Sequence, residues 1–223
     1  ILGEERVGAL KEAFNLTATS YGLQPIRLVV LHNRELQGQL VAHSYGQRQV
    51  ADASHVLVIC IEKTIDRDYI EGYFDKVRQV RGTAEEILEP YRKALVTDFR
   101  KKTPEEIRTW ATHQAYLALG NLLTVCAVEQ IDSCPMEGFV PQAYDRVLGL
   151  DEKGLQSVLV LPVGYRSEED PFSDFKKVRR DLRDSVLTLE DLNKAGYEIL
   201  KGRDVIDGKI DPERRIQRWK GKA

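Results

Sequence analysis

The sequence predicts an α+β fold, and three observations carry that expectation. Three short apolar runs read as buried strands: Ile26 to Leu31, Val56 to Ile61 and Ser157 to Tyr165. Helical periodicity lies around them, beginning at Glu4 to Leu16, where Val7, Leu10 and Phe14 recur on one face. The Rossmann glycine fingerprint is missing, which disfavours the doubly wound dinucleotide fold.

Taken in order, the helix from Glu4 to Leu16 leads into a polar corner, Thr17 to Pro25, and then into the strand Ile26 to Leu31. That strand is too continuous to have a wet face and is expected at the centre of a sheet. Leu36 to Val50 is polar and only weakly periodic, and it carries Ser44-Tyr45-Gly46-Gln47-Arg48-Gln49. Asp52-Ala53-Ser54-His55 introduces the second strand, where His55 reads as a satisfied structural histidine rather than a base.

Thr64 to Lys102 is charged and helical, with aromatic residues at several of its apolar positions. It lacks the aliphatic density of a core helix and reads as a cover or lid. Thr103-Pro104-Glu105-Glu106 is a helix start: threonine caps, proline sits first, and acids favour the positive end. From Gln114 the helix running to about Val128 is apolar on nearly every face, so it must be surrounded, in a core or by a partner subunit.

A compact loop follows at Ser133 to Phe139, then a short helix from Pro141 to Leu148 closed by Gly149. In the third strand, Pro162 marks an irregular or edge portion. Asp174 to Arg180 is the densest basic cluster, suited either to a solvated face or to a phosphate. Thr188-Leu-Glu-Asp reads as a cap, Val205 to Ile210 as a small hairpin, and Arg214 to Lys220 as a basic end.

The 223 residues are enough for one full core. With 33 Lys plus Arg against 35 Asp plus Glu, no nucleic-acid or bilayer field dominates. No run is long enough to cross a membrane and nothing at the start resembles a signal peptide. The chain opens on Ile1 rather than Met, so further residues are expected upstream. Three cysteines, Cys60, Cys126 and Cys134, sit in or beside apolar runs without a pairing pattern, as buried thiols of a reducing compartment do; a cytoplasmic location is expected.

Chemistry-bearing motifs are scarce. CxxC, HExxH, Gly-x-Ser-x-Gly and the Walker loop are all missing, and the four histidines have no metal-ligand rhythm. Glu137 has no nucleophile or base beside it. The difficult chemistry of an enzyme built this way must come from a cofactor. The corner at Thr17 to Pro25 suits a flat polar heterocycle: Gly22 removes a Cβ, Pro25 stiffens the exit, and Thr19, Ser20 and Gln24 offer hydroxyl and amide groups.

Several stretches together resemble the nitroreductase family, the NfsB-like FMN-dependent oxidoreductases. Ala18 to Pro25 looks like its flavin-ring loop, and Asp52 to His55 with Val56-Leu57-Val58 looks like its next strand. Gln114 to Asn121 resembles its long central helix, Pro135 to Phe139 the loop facing the flavin, and Lys177-Val178-Arg179 the basic pair gripping the phosphate. The order matches, over roughly Glu4 to Thr188.

The resemblance implies a mixed central sheet wrapped by helices, in a flavin-binding domain of residues 1–188 with a C-terminal extension of 189–223. It implies a homodimer interlocked through the central helix, with each FMN shared across the interface. Thr19, Ser20 and Gly22 would line the ring and ribityl chain, and Pro135 would lie against the ring. The backbone at Glu137 and Gly138 would present an N–H toward flavin N5. Lys177 and Arg179 would neutralise the phosphate. Gln49 stands where the family reaches the pyrimidine edge, with Gln47 a weaker alternative. No metal is implied.

The implied activity is ping-pong transfer of hydride from NAD(P)H, through flavin N5, to a nitroaromatic or quinone. Tyr69, Phe74 and Tyr91 would select the oxidant. Enone reduction, dehalogenation, flavin destruction and a non-catalytic flavin-binding scaffold are the competing readings. Two departures stand out. The family's opening basic stretch for the phosphate does not precede Ile1, and Ile26 replaces the tryptophan that often follows the Gln-Pro pair.

Overall fold

The computed structural model describes residues 1–194. The chain divides into two compact units, Ile1–Glu169 and a second beginning at Asp170. The expected hairpin at Val205 to Ile210 and the basic end at Arg214 to Lys220 lie outside the described residues.

The first unit is α+β, a sheet with helices on both faces, as the sequence predicts. Its strands are β1 (Ile26–Leu31), β2 (His55–Glu62), β3 (Asp132–Ser133) and β4 (Leu155–Gly164), in the order β1-β2-β4-β3. The pairings among them are antiparallel, with Ile26 opposite Ile61, Val58 opposite Val160, and Ser133 opposite Val163.

Strand β2 shows why these runs are apolar throughout. Leu57, Ile59 and Ile61 point into one core, and Val56, Val58 and Cys60 point into another. The alternation is that of any strand, but both faces are covered, so neither can be polar. On the first face lie α1 (Glu4–Asn15), α4 (Arg67–Arg81), α5 (Glu85–Phe99) and α6 (Pro104–Val128). On the second lie α2 (Arg34–Val41), α3 (Gln49–Asp52) and α7 (Pro141–Val147).

One expectation needs correction. Ile26–Leu31 is the edge strand of the described sheet, with Leu28, Val29 and Val30 only half-buried. Two-sided burial demands apolar residues whether or not both edges are paired, so composition could not separate edge from centre. The weakly periodic stretch before β2 contains α2, started by Asn33, whose side chain accepts from Leu36 N–H at 3.0 Å. Pro162 lies in β4 opposite Val56, at the portion where the two-residue β3 ends. Its carbonyl accepts from Cys134 N–H at 3.0 Å, so its missing donor faces the side where β3 ends.

The ladder skips one residue between Ile59 and Cys60. There the buried Asp145 carboxylate accepts from Ser157 N–H at 2.8 Å and from its hydroxyl at 2.7 Å. Cys60 lies nearby, and burial, followed by the Asp145 charge, pushes its thiol up to about 12. Cys126 is buried as well, Cys134 is half-buried, and all three thiols are free.

The charged segment after β2 forms two helices. α4 is capped by Asp66, which accepts from Tyr69 N–H, and ends at Gly82 in the left-handed conformation. α6 opens with the expected reciprocal cap: Thr103 Oγ1 accepts from Glu106 N–H, and Glu106 Oε2 accepts from Thr103 N–H. Within this chain α6 buries one face, through Gln114, Ala115, Ala118, Leu122 and Cys126, and leaves Leu117 53% and Val128 74% exposed.

In the second unit, residues 171–191 are exposed and carry α8 (Leu182–Ser185) and α9 (Leu189–Lys194). Thr188 caps α9 as expected: its hydroxyl accepts from Asp191 N–H, and Asp191 Oδ2 accepts from Thr188 N–H.

Candidate functional site

The corner between α1 and β1 is held in a demanding backbone conformation. Tyr21, Gly22 and Gln24 have φ of 62°, 76° and 46°, and two of the three are not glycine. Hydrogen bonds from three helices hold it. Gln114 Oε1 on α6 accepts from Ser20 N–H at 2.9 Å, and Gln24 Nε2 donates to Asn15 O on α1 at 3.0 Å. Tyr69 on α4 shares its single hydroxyl proton between Leu23 O and Gln24 O, each at 2.9 Å. Within the loop, Thr19 Oγ1 accepts from Gln24 N–H at 3.0 Å.

These bonds sort the expected ligand groups. The Gln24 amide is committed to the protein, whereas the Ser20 hydroxyl makes no hydrogen bond among the described residues and is exposed. Thr19 keeps its O–H to donate. Gly22 is required twice over, by its positive φ and because a Cβ there would sit 2.5 Å from Tyr73 Oη.

A second assembly joins the loop at Ser133 to Val140 to the turn after α2. Met136 exchanges both backbone hydrogen bonds with Val160 of β4, Val140 N–H donates to His43 O, and Gln47 Nε2 donates to Gly138 O at 2.9 Å. A Cβ at Gly138 would lie 3.0 Å from that Gln47 nitrogen. Tyr116 of α6 donates to Glu137 Oε1 at 2.6 Å, and that bond raises the Tyr116 phenol. Gln47 is therefore the glutamine tied to this loop. Gln49, the residue singled out from the sequence, is exposed at the start of α3.

The backbone of this loop has a chemical property of its own. The N–H groups of Glu137 and Gly138 donate to nothing among the described residues. Each belongs to a peptide whose carbonyl is engaged: Met136 O accepts from Val160 N–H at 3.1 Å, and Glu137 O accepts from Phe139 N–H at 2.9 Å. A peptide is planar, so fixing the oxygen aims the N–H on the far side, and accepting a bond polarises it. Two adjacent, oriented donors are thus presented beside the exposed Pro135.

The resemblance implies a flavin shared across a dimer interface, and within one chain α6 stands between the anchors of the two loops. Gln114 holds the Ser20 loop and Tyr116 holds Glu137, and residues two apart on a helix project about 200° from each other. Thr19, Ser20 and Gly22 therefore attach to one side of α6, and Glu137 and Gly138 to the other. Lys177 and Arg179 belong to the second unit, where both are exposed and Arg179 Nη1 donates to Val178 O.

Sequence reading missed Gln114 and Tyr116 as anchors, although a glutamine and a tyrosine in a run of small aliphatic residues are the visible signal. His55 behaves as expected. Its Nδ1 is 2.9 Å from Ser54 Oγ, its ring stacks on His32 at 4.4 Å, and burial followed by the His32 charge lowers its pKa. No cluster of metal ligands occurs among the described residues.

The described residues form a helix-wrapped antiparallel sheet of the α+β class with two anchored, donor-bearing loops. The sequence matches the Nitroreductase family over residues 2–165, and the chain belongs to that family. A Staphylococcus saprophyticus protein named "Putative NAD(P)H nitroreductase" is 32% identical over 197 residues, covering 85% of this chain and 88% of the relative. Among solved structures, one from Exiguobacterium sibiricum in complex with FMN superposes with TM-score 0.72 at 20% identity, covering 84% of this chain and 87% of the other. An enone reductase of gut-bacterial fatty acid saturation, CLA-ER, superposes with TM-score 0.68 at 20% identity, covering 84% and 88%. At these identities the structural likenesses speak for the fold.

Proposed function

We propose that this protein is an NfsB-like, FMN-dependent oxidoreductase that takes reducing equivalents from NAD(P)H and passes them to nitroaromatic or quinone-type acceptors. The observation that carries this reading is the pair of oriented, unpartnered N–H groups at Glu137 and Gly138. When bound, FMN would supply reversible two-electron chemistry at N5, which no side chain of this chain offers.

The residues fit that cofactor. Glu137 and Gly138 would donate to the heterocycle where negative charge grows on reduction, at no cost in reorganisation, because their peptides are already fixed. Ser20 and Thr19 have hydroxyl protons to give, and the backbone of Gly22 would line the ring. Lys177 and Arg179 would neutralise the phosphate. The Glu137 carboxylate, already accepting from Tyr116, is a structural group and moves no proton.

The position of the two loops on opposite sides of α6 supports a homodimer. A second copy packed on the exposed stripe of α6, which includes Tyr116, Leu117, Gly120 and Val128, would bring the Ser20 loop of one chain toward the Glu137 loop of the other. A cytoplasmic location is in keeping with the three free thiols. The name of the Staphylococcus relative includes NAD(P)H, the Exiguobacterium protein was solved in complex with FMN, and CLA-ER is an enone reductase, the activity that competes with this reading.

The test is the visible spectrum of purified protein supplied with FMN, followed by anaerobic addition of NADH or NADPH. A stoichiometric yellow complex that bleaches, then recovers its colour with a nitroaromatic or quinone but not with an enone, is the expected result. Failure to retain FMN, or retention without bleaching, would overturn the reading.

A further inference from the structure

The cover helix α4 turns two tyrosines, Tyr69 and Tyr73, onto the corner between α1 and β1. They are four residues apart and so share one face of the helix. Tyr69 Oη reaches the carbonyls of Leu23 and Gln24, both at 2.9 Å. Tyr73 closes over Gly22, its hydroxyl occupying the space a Cβ would need. Gln24, the residue whose carbonyl Tyr69 holds, is a left-handed non-glycine residue at φ 46°. Such a conformation is costly and persists only where its surroundings over-determine it.

From the sequence, Tyr69 is expected to help choose the oxidant. Its hydroxyl is instead committed to backbone, and burial pushes the phenol up to about 12, so it stays a donor across the neutral range. Phe74, assigned the same role, is 3% exposed and belongs to the core.

We propose that Tyr69 is a positioning residue for the flavin-ring loop: by donating to Leu23 O and Gln24 O it holds Thr19 and Ser20 where they meet the cofactor. This rests on the FMN-binding reading above. Through Tyr69 the position of α4 and the shape of the ring loop become one variable. A change in α4 is then felt at the cofactor without α4 touching it. The hydroxyl gives this role to tyrosine and denies it to phenylalanine, which would keep the packing and lose both bonds.

The experiment uses the full chain with Tyr69→Phe, and Ile70→Val as the control on the same helix. Ile70 is buried in the core and, having no polar side-chain atom, makes no side-chain hydrogen bond to the corner's carbonyls. Amide hydrogen exchange of residues 17–25 is measured without flavin, and FMN affinity and the visible circular dichroism of bound flavin are measured with it. Tyr69→Phe is expected to speed exchange in the corner about tenfold, weaken FMN about tenfold and change the dichroism, as loss of this kind of bond predicts. Ile70→Val should change none of the three.

Unchanged exchange in Tyr69→Phe would overturn the clamp. Faster exchange with unchanged FMN affinity and dichroism would overturn the positioning role alone. A wild-type protein that binds no FMN would overturn the proposed function, and the positioning role with it.

Discussion

Gln114 and Tyr116 lie two residues apart on α6 and hold different loops: Gln114 Oε1 accepts a hydrogen bond from Ser20 N–H, and the Tyr116 hydroxyl donates one to Glu137. Because the two side chains leave the helix in nearly opposite directions, the two loops are held on different sides of α6 within one chain, which is why we propose that the site is completed by a second copy. The exposed apolar stripe on the Tyr116 side is the surface on which a second copy would join them.

A charge placed in that stripe should separate the copies. Leu117→Arg buries a guanidinium in the proposed interface, where an unpaired charge costs several kcal/mol on the order-of-magnitude scale of buried ions. Sedimentation velocity at micromolar concentration should show a dimer for the wild type and a folded monomer for the variant, and the variant should not retain FMN. A wild-type monomer, or a variant monomer that still binds FMN tightly, would contradict the composite site.

Replacing Glu137 by glutamine keeps the loop's path and removes the ionisable group. The anaerobic rate of flavin reduction by NAD(P)H should change less than about tenfold, because the donors assigned to the reduced ring are backbone N–H groups. A loss of several hundredfold, with FMN bound and the dimer intact, would make the carboxylate catalytic.

Arg179→Ala should weaken FMN by about tenfold or more while leaving riboflavin affinity nearly unchanged. A charge-assisted bond of this kind is worth roughly 1.5–3 kcal/mol, and riboflavin has no phosphate to lose it. Equal weakening of both ligands would assign the phosphate elsewhere.

The Asp145 carboxylate is the partner of the Ser157 N–H and hydroxyl where the β2–β4 ladder skips a residue. Asp145→Ala leaves that N–H buried without an acceptor and should lower unfolding free energy by about 1–3 kcal/mol in urea titrations. Asp145→Asn, which keeps an acceptor oxygen, should cost less than the alanine variant.

His55 gives stability a pH dependence of known sign. Burial, then the His32 charge, lowers its folded pKa below the ordinary 6.5, with Lys11 adding to the effect and Glu4 opposing it. The unfolded chain therefore binds the proton more readily. His55 contributes fully above about pH 6.5 and loses its contribution as pH falls through the folded value. The urea midpoint of wild type should drop between pH 7.5 and pH 5, and His55→Gln should show a shallower drop.

The periodicities and punctuation of the chain were legible from the residues. Strand and helix periods, the Thr103 cap, the glycine at position 22 and the loop at Pro135 to Phe139 are local consequences of side-chain shape and backbone freedom, and ordered together they resemble one family. What the residues could not disclose is which apolar strand lies at an edge, since Ile26–Leu31 and β2 are both mostly apolar and both pack residues against each of the two cores. Nor could they show that Gln47 rather than Gln49 is tied to Gly138, that Tyr69 is bonded to backbone, or that α6 separates the two loops. Those relations pair residues tens of positions apart, and only the packing of helices against the sheet decides which side chain meets which carbonyl.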